Sequence, residues 1–148
     1  MLKIGDKAPD FQGVDQNSNP IKLSDYKGKK LIIYFYPKDN TPGCTAQACN
    51  LRDNYNSLLE QGFSIIGISK DSVTSHQKFI DKYQLPFPLI SDTSTEIIKL
   101  YNAWGEKKFM GKTYEGILRK TYVIDSSGVI IDIIEKVQTK DHASQIIK

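Results

Sequence analysis

Cys44 and Cys49 are the only two thiols of the chain, with four residues between them, and Cys44 directly follows the stretch Pro37-Lys38-Asp39-Asn40-Thr41-Pro42-Gly43. A cysteine acts as a nucleophile through its thiolate, so what surrounds each sulfur decides whether the pair can do chemistry. If Thr41 is the N-cap of a helix, Pro42 falls at the first helical position, where a missing N–H costs nothing, and Cys44 lands in the first turn. The sulfur then faces unpaired backbone N–H groups and the positive end of the helix dipole, and both favour thiolate over thiol. On helix position alone, Cys44 reads equally well as a small apolar side chain on a buried helix face. The two histidines, His76 and His142, are far from the cysteines in sequence and are expected at the surface. Their spacing matches no structural zinc pattern, and no metal, haem or flavin signature appears, so no cofactor is expected.

Elements that would hold this segment can be read from the apolar pattern. Lys30 to Tyr36 (KLIIYFY), bounded by Gly28 and Pro37, suits a central strand buried on both faces. Cys44, Ala48, Leu51, Tyr55 and Leu58 then recur at helical spacing until Gly62. Phe63 to Ile68 supplies a second strand, and Val73 to Tyr83 a second amphipathic helix that stops at Leu85-Pro86. Strand, helix, strand, helix implies parallel strands joined by crossovers. Later, Arg119 to Ile124 and Val129 to Ile134 flank the turn cluster Asp125-Ser126-Ser127-Gly128 and should form an antiparallel hairpin. A short strand at Ile21-Lys22-Leu23 and a last helix from Asp141 as N-cap to Ile147 complete the reading. The expected class is α/β with a central mixed β-sheet flanked by helices, an architecture shared by thioredoxin-like folds. The cysteine segment joins the end of the buried strand to a helix start, the edge of an open α/β sheet where sites collect.

The whole length, 1–148, fits one domain. An apolar fraction of 39% with ordinary glycine content excludes disorder. Twenty Lys and Arg against seventeen Asp and Glu leave a net charge of +3, dispersed along the chain, which describes a solvated surface and no nucleic-acid footprint. No run of about 18 apolar residues could span a membrane and no leader pattern is present, so a cytoplasmic location is expected. In that reducing compartment a cysteine pair is catalytic or sensory more often than a structural staple.

Pro37, Thr41 and Cys44 form the pattern PxxxTxxC, which resembles the active-site motif of the peroxiredoxins. The longer run YFYPKDNTPGCTAQAC is similar to their bacterioferritin comigratory protein (BCP)/PrxQ branch. The likeness continues in order through Asn50-Leu51-Arg52-Asp53, Gly67-Ile68-Ser69, Trp104-Gly105-Glu106-Lys107, Met110 to Tyr114, Gly116-Ile117 and Arg119, and covers nearly the whole chain. The resemblance implies a thiol peroxidase, with a hydroperoxide as substrate and thioredoxin or a similar dithiol as reductant. It implies Cys44 as the peroxidatic cysteine, Thr41 as the hydroxyl bonding the reacting atoms, Pro37 as a shield and Arg119 as the distant arginine completing the site. It also implies Cys49 as the resolving cysteine, which condenses with the Cys44 sulfenic acid. Trp104 is expected as a core or pocket-wall aromatic. An intramolecular pair requires no second subunit, which points to a monomer.

Helix geometry adds a constraint. From Cys44 to Cys49 a regular helix advances about 7.5 Å and turns about 500°, so the side chains diverge by about 140° and the Cα atoms are about 8.6 Å apart. A disulfide needs at most about 6.8 Å and converging Cβ vectors, so bond formation requires the helix to unwind. Two rivals fit less well. A thioredoxin-type oxidoreductase uses C-x-x-C where this chain has C-x-x-x-x-C, and a Sco-like copper carrier needs a closer cysteine pair, a histidine ligand and usually a membrane anchor.

Overall fold

The structure, a computed structural model, describes residues 1–147; Lys148, the last residue of the expected 1–148 domain, lies outside the described residues. A short antiparallel hairpin, β1 (Gln12–Val14) and β2 (Pro20–Lys22), leads into the first long strand, β3 (Lys30–Phe35). Successive side chains of a strand point to opposite faces, so β3 feeds two cores. Leu31, Ile33 and Phe35 enter one; Ile32, Tyr34 and, just past the strand, Tyr36 enter the other.

Helices α1 (Pro42–Asp53) and α2 (Tyr55–Glu60) carry the chain over to β4 (Phe63–Ser69), which pairs parallel with β3. Helix α3 (Val73–Tyr83) then crosses to β5 (Leu89–Ser91), parallel to β4. After α4 (Glu96–Leu100) comes a separate hairpin, β6 (Trp104–Phe109) and β7 (Lys112–Ile117). Strand β8 (Lys120–Ile124) returns antiparallel along the other side of β3, β9 (Ile130–Ile134) pairs with β8, and α5 (His142–Ile146) follows. The order β5-β4-β3-β8-β9 is the expected central mixed sheet. One face carries Cys44, Ala48 and Leu51 of α1 with Leu58, Phe79 and Ile146; the other carries Ile97 and Ile98 of α4 with Phe11 and Ile21. No helix among the described residues is long and apolar enough to cross a membrane.

Several boundaries differ from the sequence reading. The helix expected to run to Gly62 breaks at Asn54, whose side-chain amide donates to the Asn50 carbonyl at 2.9 Å and so competes with the backbone pattern. Gly62, with φ 87°, does end the second piece. The β6–β7 hairpin was not foreseen as strands, because its exposed positions are mostly polar and its turn is Met110-Gly111. Both turn residues have positive φ, 51° and 77°, a conformation usually announced by Asn-Gly. The Asp125 turn forms as read: its carboxylate accepts from the Ser127 and Val129 N–H groups.

Candidate active site

Helix α1 begins at Pro42, with Thr41 in the extended N-cap conformation and Cys44 in the first turn. The Thr41 hydroxyl makes no capping bond; it donates to the Lys38 carbonyl at 2.8 Å and tightens the loop ahead of the helix. Cys44 is buried and Cys49, further along the same helix, is half-buried, both as free thiols.

Arg119 lies immediately before β8, and the β3–β8 pairing brings it beside the start of α1. Its Nη2 donates to Cys44 Sγ at 3.3 Å and its Nη1 to Gln47 Oε1 at 2.7 Å. Gly43 makes room for this approach, since a Cβ there would meet Nη2 at 3.3 Å. Gln47 was missed in the sequence reading; the available signal was its position three residues after Cys44, on the same helix face. It is fully buried, and its Nε2 has no hydrogen-bond partner among the described residues, while its Oε1 holds the guanidinium that reaches Cys44.

Pro37, Lys107, Leu118, Arg119, Lys120 and Glu135 line a cleft of about 370 Å³. Lys107 donates to the Ile117 carbonyl at 2.7 Å, and burial, then the Arg119 charge, lower its pKa. Trp104 is half-buried with the Lys70 and Lys99 ammonium groups each 5.6 Å from its ring, and it lines the neighbouring cleft with Gly105 and Leu118. Tyr34 is fully buried, with no partner for its hydroxyl among the described residues; burial first and proximity to Cys44 second push its pKa well above the usual range.

The other side of the cysteine loop is fixed by a polar network. Asp39 accepts from the Tyr36 hydroxyl at 2.6 Å and the Ser75 hydroxyl at 2.8 Å, and its Oδ2 lies 2.7 Å from His76 Nδ1. His76 Nε2 is 2.9 Å from the Ile90 carbonyl, and the Asp39 N–H donates to Asp71. Asp39, Asp71 and His76 have ligand atoms within 4.8 Å of one another, yet hydrogen bonds to one another, to Tyr36 and to the Ile90 carbonyl already engage both ring nitrogens and both Asp39 oxygens. This corrects the expectation of surface histidines. His76 sits on the buried face of α3 with Phe79, and His142 is buried between Thr121 and Gln145, each ring satisfied by polar partners that sequence separation concealed.

The AhpC/TSA family model matches residues 4–133, and the chain belongs to that family. Within it, the similarity is to the Bcp/PrxQ peroxiredoxins, which makes this a thiol-dependent peroxidase. The chain is 44% identical over 147 residues to "Peroxiredoxin Bcp" of Bacillus subtilis, covering 99% of this chain and 94% of that one. A crystal structure of a cysteine-to-serine mutant of Xylella fastidiosa PrxQ superposes with a TM-score of 0.93 at 30% identity, covering 99% and 94% of the two chains. The bacterioferritin comigratory protein of Xanthomonas campestris, solved in work on its alkyl peroxide reduction activity, gives a TM-score of 0.86 at 31% identity, covering 93% and 87%. These neighbours share the thioredoxin-like fold.

Proposed function

We propose that the chain reduces hydrogen peroxide and organic hydroperoxides through Cys44 and recycles by way of a Cys44–Cys49 disulfide. The Cys44 thiolate attacks the terminal oxygen of the hydroperoxide. The O–O bond breaks, a proton goes to the departing oxygen, and Cys44–SOH and an alcohol or water result. Charge builds on that departing oxygen, where fixed donors lower the barrier most. The observation that carries this reading is the Arg119 guanidinium: one N–H is directed at Cys44 Sγ while another is tied to Gln47, so the donor is held in advance of reaction. Thr41 supplies a hydroxyl at the helix entrance and Pro37 an apolar wall of the cleft.

Cys49 then attacks the sulfenic sulfur; Cys44–SOH and HS–Cys49 give the disulfide and water. Two electrons from thioredoxin or a similar dithiol restore both thiols. Both cysteines of the proposed pair belong to one chain, which supports a monomer, and the two cores share one five-stranded sheet, which supports one thioredoxin-like domain over 1–148; two free thiols fit a reducing compartment such as the cytoplasm. Alkyl hydroperoxides are included because the Xanthomonas campestris relative was studied for their reduction. The test is peroxide consumption driven by thioredoxin and its reductase, comparing hydrogen peroxide with alkyl hydroperoxides. Turnover with each supports the reading, and no consumption of any hydroperoxide overturns it.

A further inference from the structure

The cysteine-bearing helix is tied to the C-terminal segment through one side chain. Asn50 Nδ2 donates to the Lys140 carbonyl at 3.1 Å, and Asn50 Oδ1 accepts from the Ala143 N–H at 2.8 Å. The second bond does the work of a helix cap. Asp141, at the N-cap of α5, makes no capping bond and instead accepts from the Ser144 hydroxyl. A buried N–H in the first turn of α5, that of Ala143, is thus satisfied from α1. The same two segments share apolar packing, with Ile146, Val137 and Ile147 in the cluster that holds Cys44, Ala48 and Leu51.

Both flanks of the cysteine stretch are anchored elsewhere. Asp39 is fixed to His76 and Ser75 ahead of the helix, and Arg52, in the helix's last turn, donates to the Tyr83 carbonyl at 2.7 Å. Unwinding that joins Cys44 to Cys49 is confined between these anchors. Asn50 follows Cys49 directly, so backbone rotation that turns Cys49 Sγ toward Cys44 carries the Asn50 amide away from Lys140 and Ala143.

We propose that Asn50 is a positioning residue that clamps α1 to the C-terminal segment in the thiol form. Disulfide formation then releases residues 139–147, and the clamp sets how often Cys44 is overoxidised before Cys49 reaches it. The proposal rests on Cys49 being the resolving cysteine. Two reactions compete for the sulfenic acid. Cys49–SH gives the disulfide and water, whereas a second hydroperoxide gives Cys44–SO₂H and an alcohol or water. A clamp that holds the helix wound slows the first and leaves the second untouched.

The test combines mass spectrometry of peroxide-titrated protein with amide hydrogen exchange. Asn50→Ala is expected to raise the hydroperoxide concentration that converts half of Cys44 to sulfinic acid by roughly tenfold. That equals about 1.4 kcal/mol, within reach of two lost hydrogen bonds. Asn50→Asp, which keeps the acceptor for Ala143 and loses the donor to Lys140, should fall between. In a Cys49→Ser background Asn50→Ala should change nothing, because no competitor remains; a shift there would assign Asn50 to the peroxide step and overturn the clamp. In the unmutated protein, residues 139–147 should exchange faster in the disulfide form than in the dithiol form, and this measurement stands even if a variant fails to fold. A verified Cys44–Cys49 disulfide with unchanged exchange over 139–147 and a wild-type titration for Asn50→Ala would overturn the clamp alone. Failure of the unmutated protein to form that disulfide would overturn the role of Cys49, and the clamp with it.

Discussion

Replacing Arg119 by Met keeps a long apolar stem and removes two directed donors, the 3.3 Å contact to Cys44 Sγ and the 2.7 Å bond to Gln47 Oε1. The lost charge sits 3.3 Å from the sulfur that the proposed reaction uses as a thiolate, and at an effective dielectric of about 20 two unit charges 4 Å apart interact by about 4 kcal/mol. Arg119 is only half-buried, and part of that gain is spent on desolvating it, so the net is smaller. Removing a single preorganised donor from a developing oxyanion costs about 2.7–4 kcal/mol, and we expect a 10²- to 10³-fold fall in the second-order rate with peroxide. The loss should appear in single-turnover oxidation followed by rapid-quench mass spectrometry at several peroxide concentrations, and the later reduction step should keep its rate. Arg119→Lys, which restores the charge without the two-pronged geometry, should recover only part of the loss. An unchanged peroxide rate in Arg119→Met, or a loss confined to reduction by the dithiol, would refute this reasoning.

Gln47→Leu should lower the same peroxide rate by roughly tenfold, because the guanidinium loses the acceptor that aims it; a wild-type rate would show that Arg119 needs no guide. With Cys49→Ser, the first oxidation should survive while thioredoxin-driven turnover collapses and Cys44 accumulates beyond the sulfenic state on mass spectrometry, and normal turnover would mean direct resolution by an external thiol. Oxidation to the Cys44–Cys49 disulfide should reduce far-UV helicity and speed amide exchange from Cys44 to Arg52; a disulfide form with both unchanged would break the link between resolution and unwinding. His142 carries a stability prediction. Gln145 Oε1 also accepts from the Gln138 N–H, so it takes the proton from His142 Nδ1 and leaves Nε2 to accept from Thr121, a neutral ring. Burial, then the Arg119 charge, lowers its pKa from 6.5, with the Gln145 bond acting the other way. The unfolded chain therefore binds the proton first. The stabilisation is complete above pH 6.5 and is lost as pH falls from there through the lower folded-state value. Urea midpoints should drop with acidification over that window, and less so in His142→Gln; equal slopes would clear His142.

The buried strand, the cysteine loop, the first crossover and the last hairpin were legible because each rests on local signals: a doubly apolar run, Pro42 at a helix start, Gly62 at an end, and the Asp125-Gly128 turn. The short β5 is three residues long and α4 five, too brief for periodicity to register. Burial of His76 and His142 depends on partners at Asp39, Ile90 and Thr121, up to 37 residues away, and no local pattern reports such pairings. Gln47 was hidden for a related reason. A glutamine on a helix reads as surface until the strand order brings Arg119 against it. The site as proposed from sequence lacked that aiming residue and the Asp39 network, both of which are products of tertiary contact.

The most direct test is a single-turnover oxidation of the fully reduced protein with one equivalent of hydroperoxide, followed by peptide mapping. We expect the peroxide to be consumed, with both thiols lost together to an intramolecular Cys44–Cys49 disulfide, and no consumption by Cys44→Ser. Peroxide consumption by Cys44→Ser at the rate of the unmutated protein would contradict the assignment of Cys44 as the nucleophile.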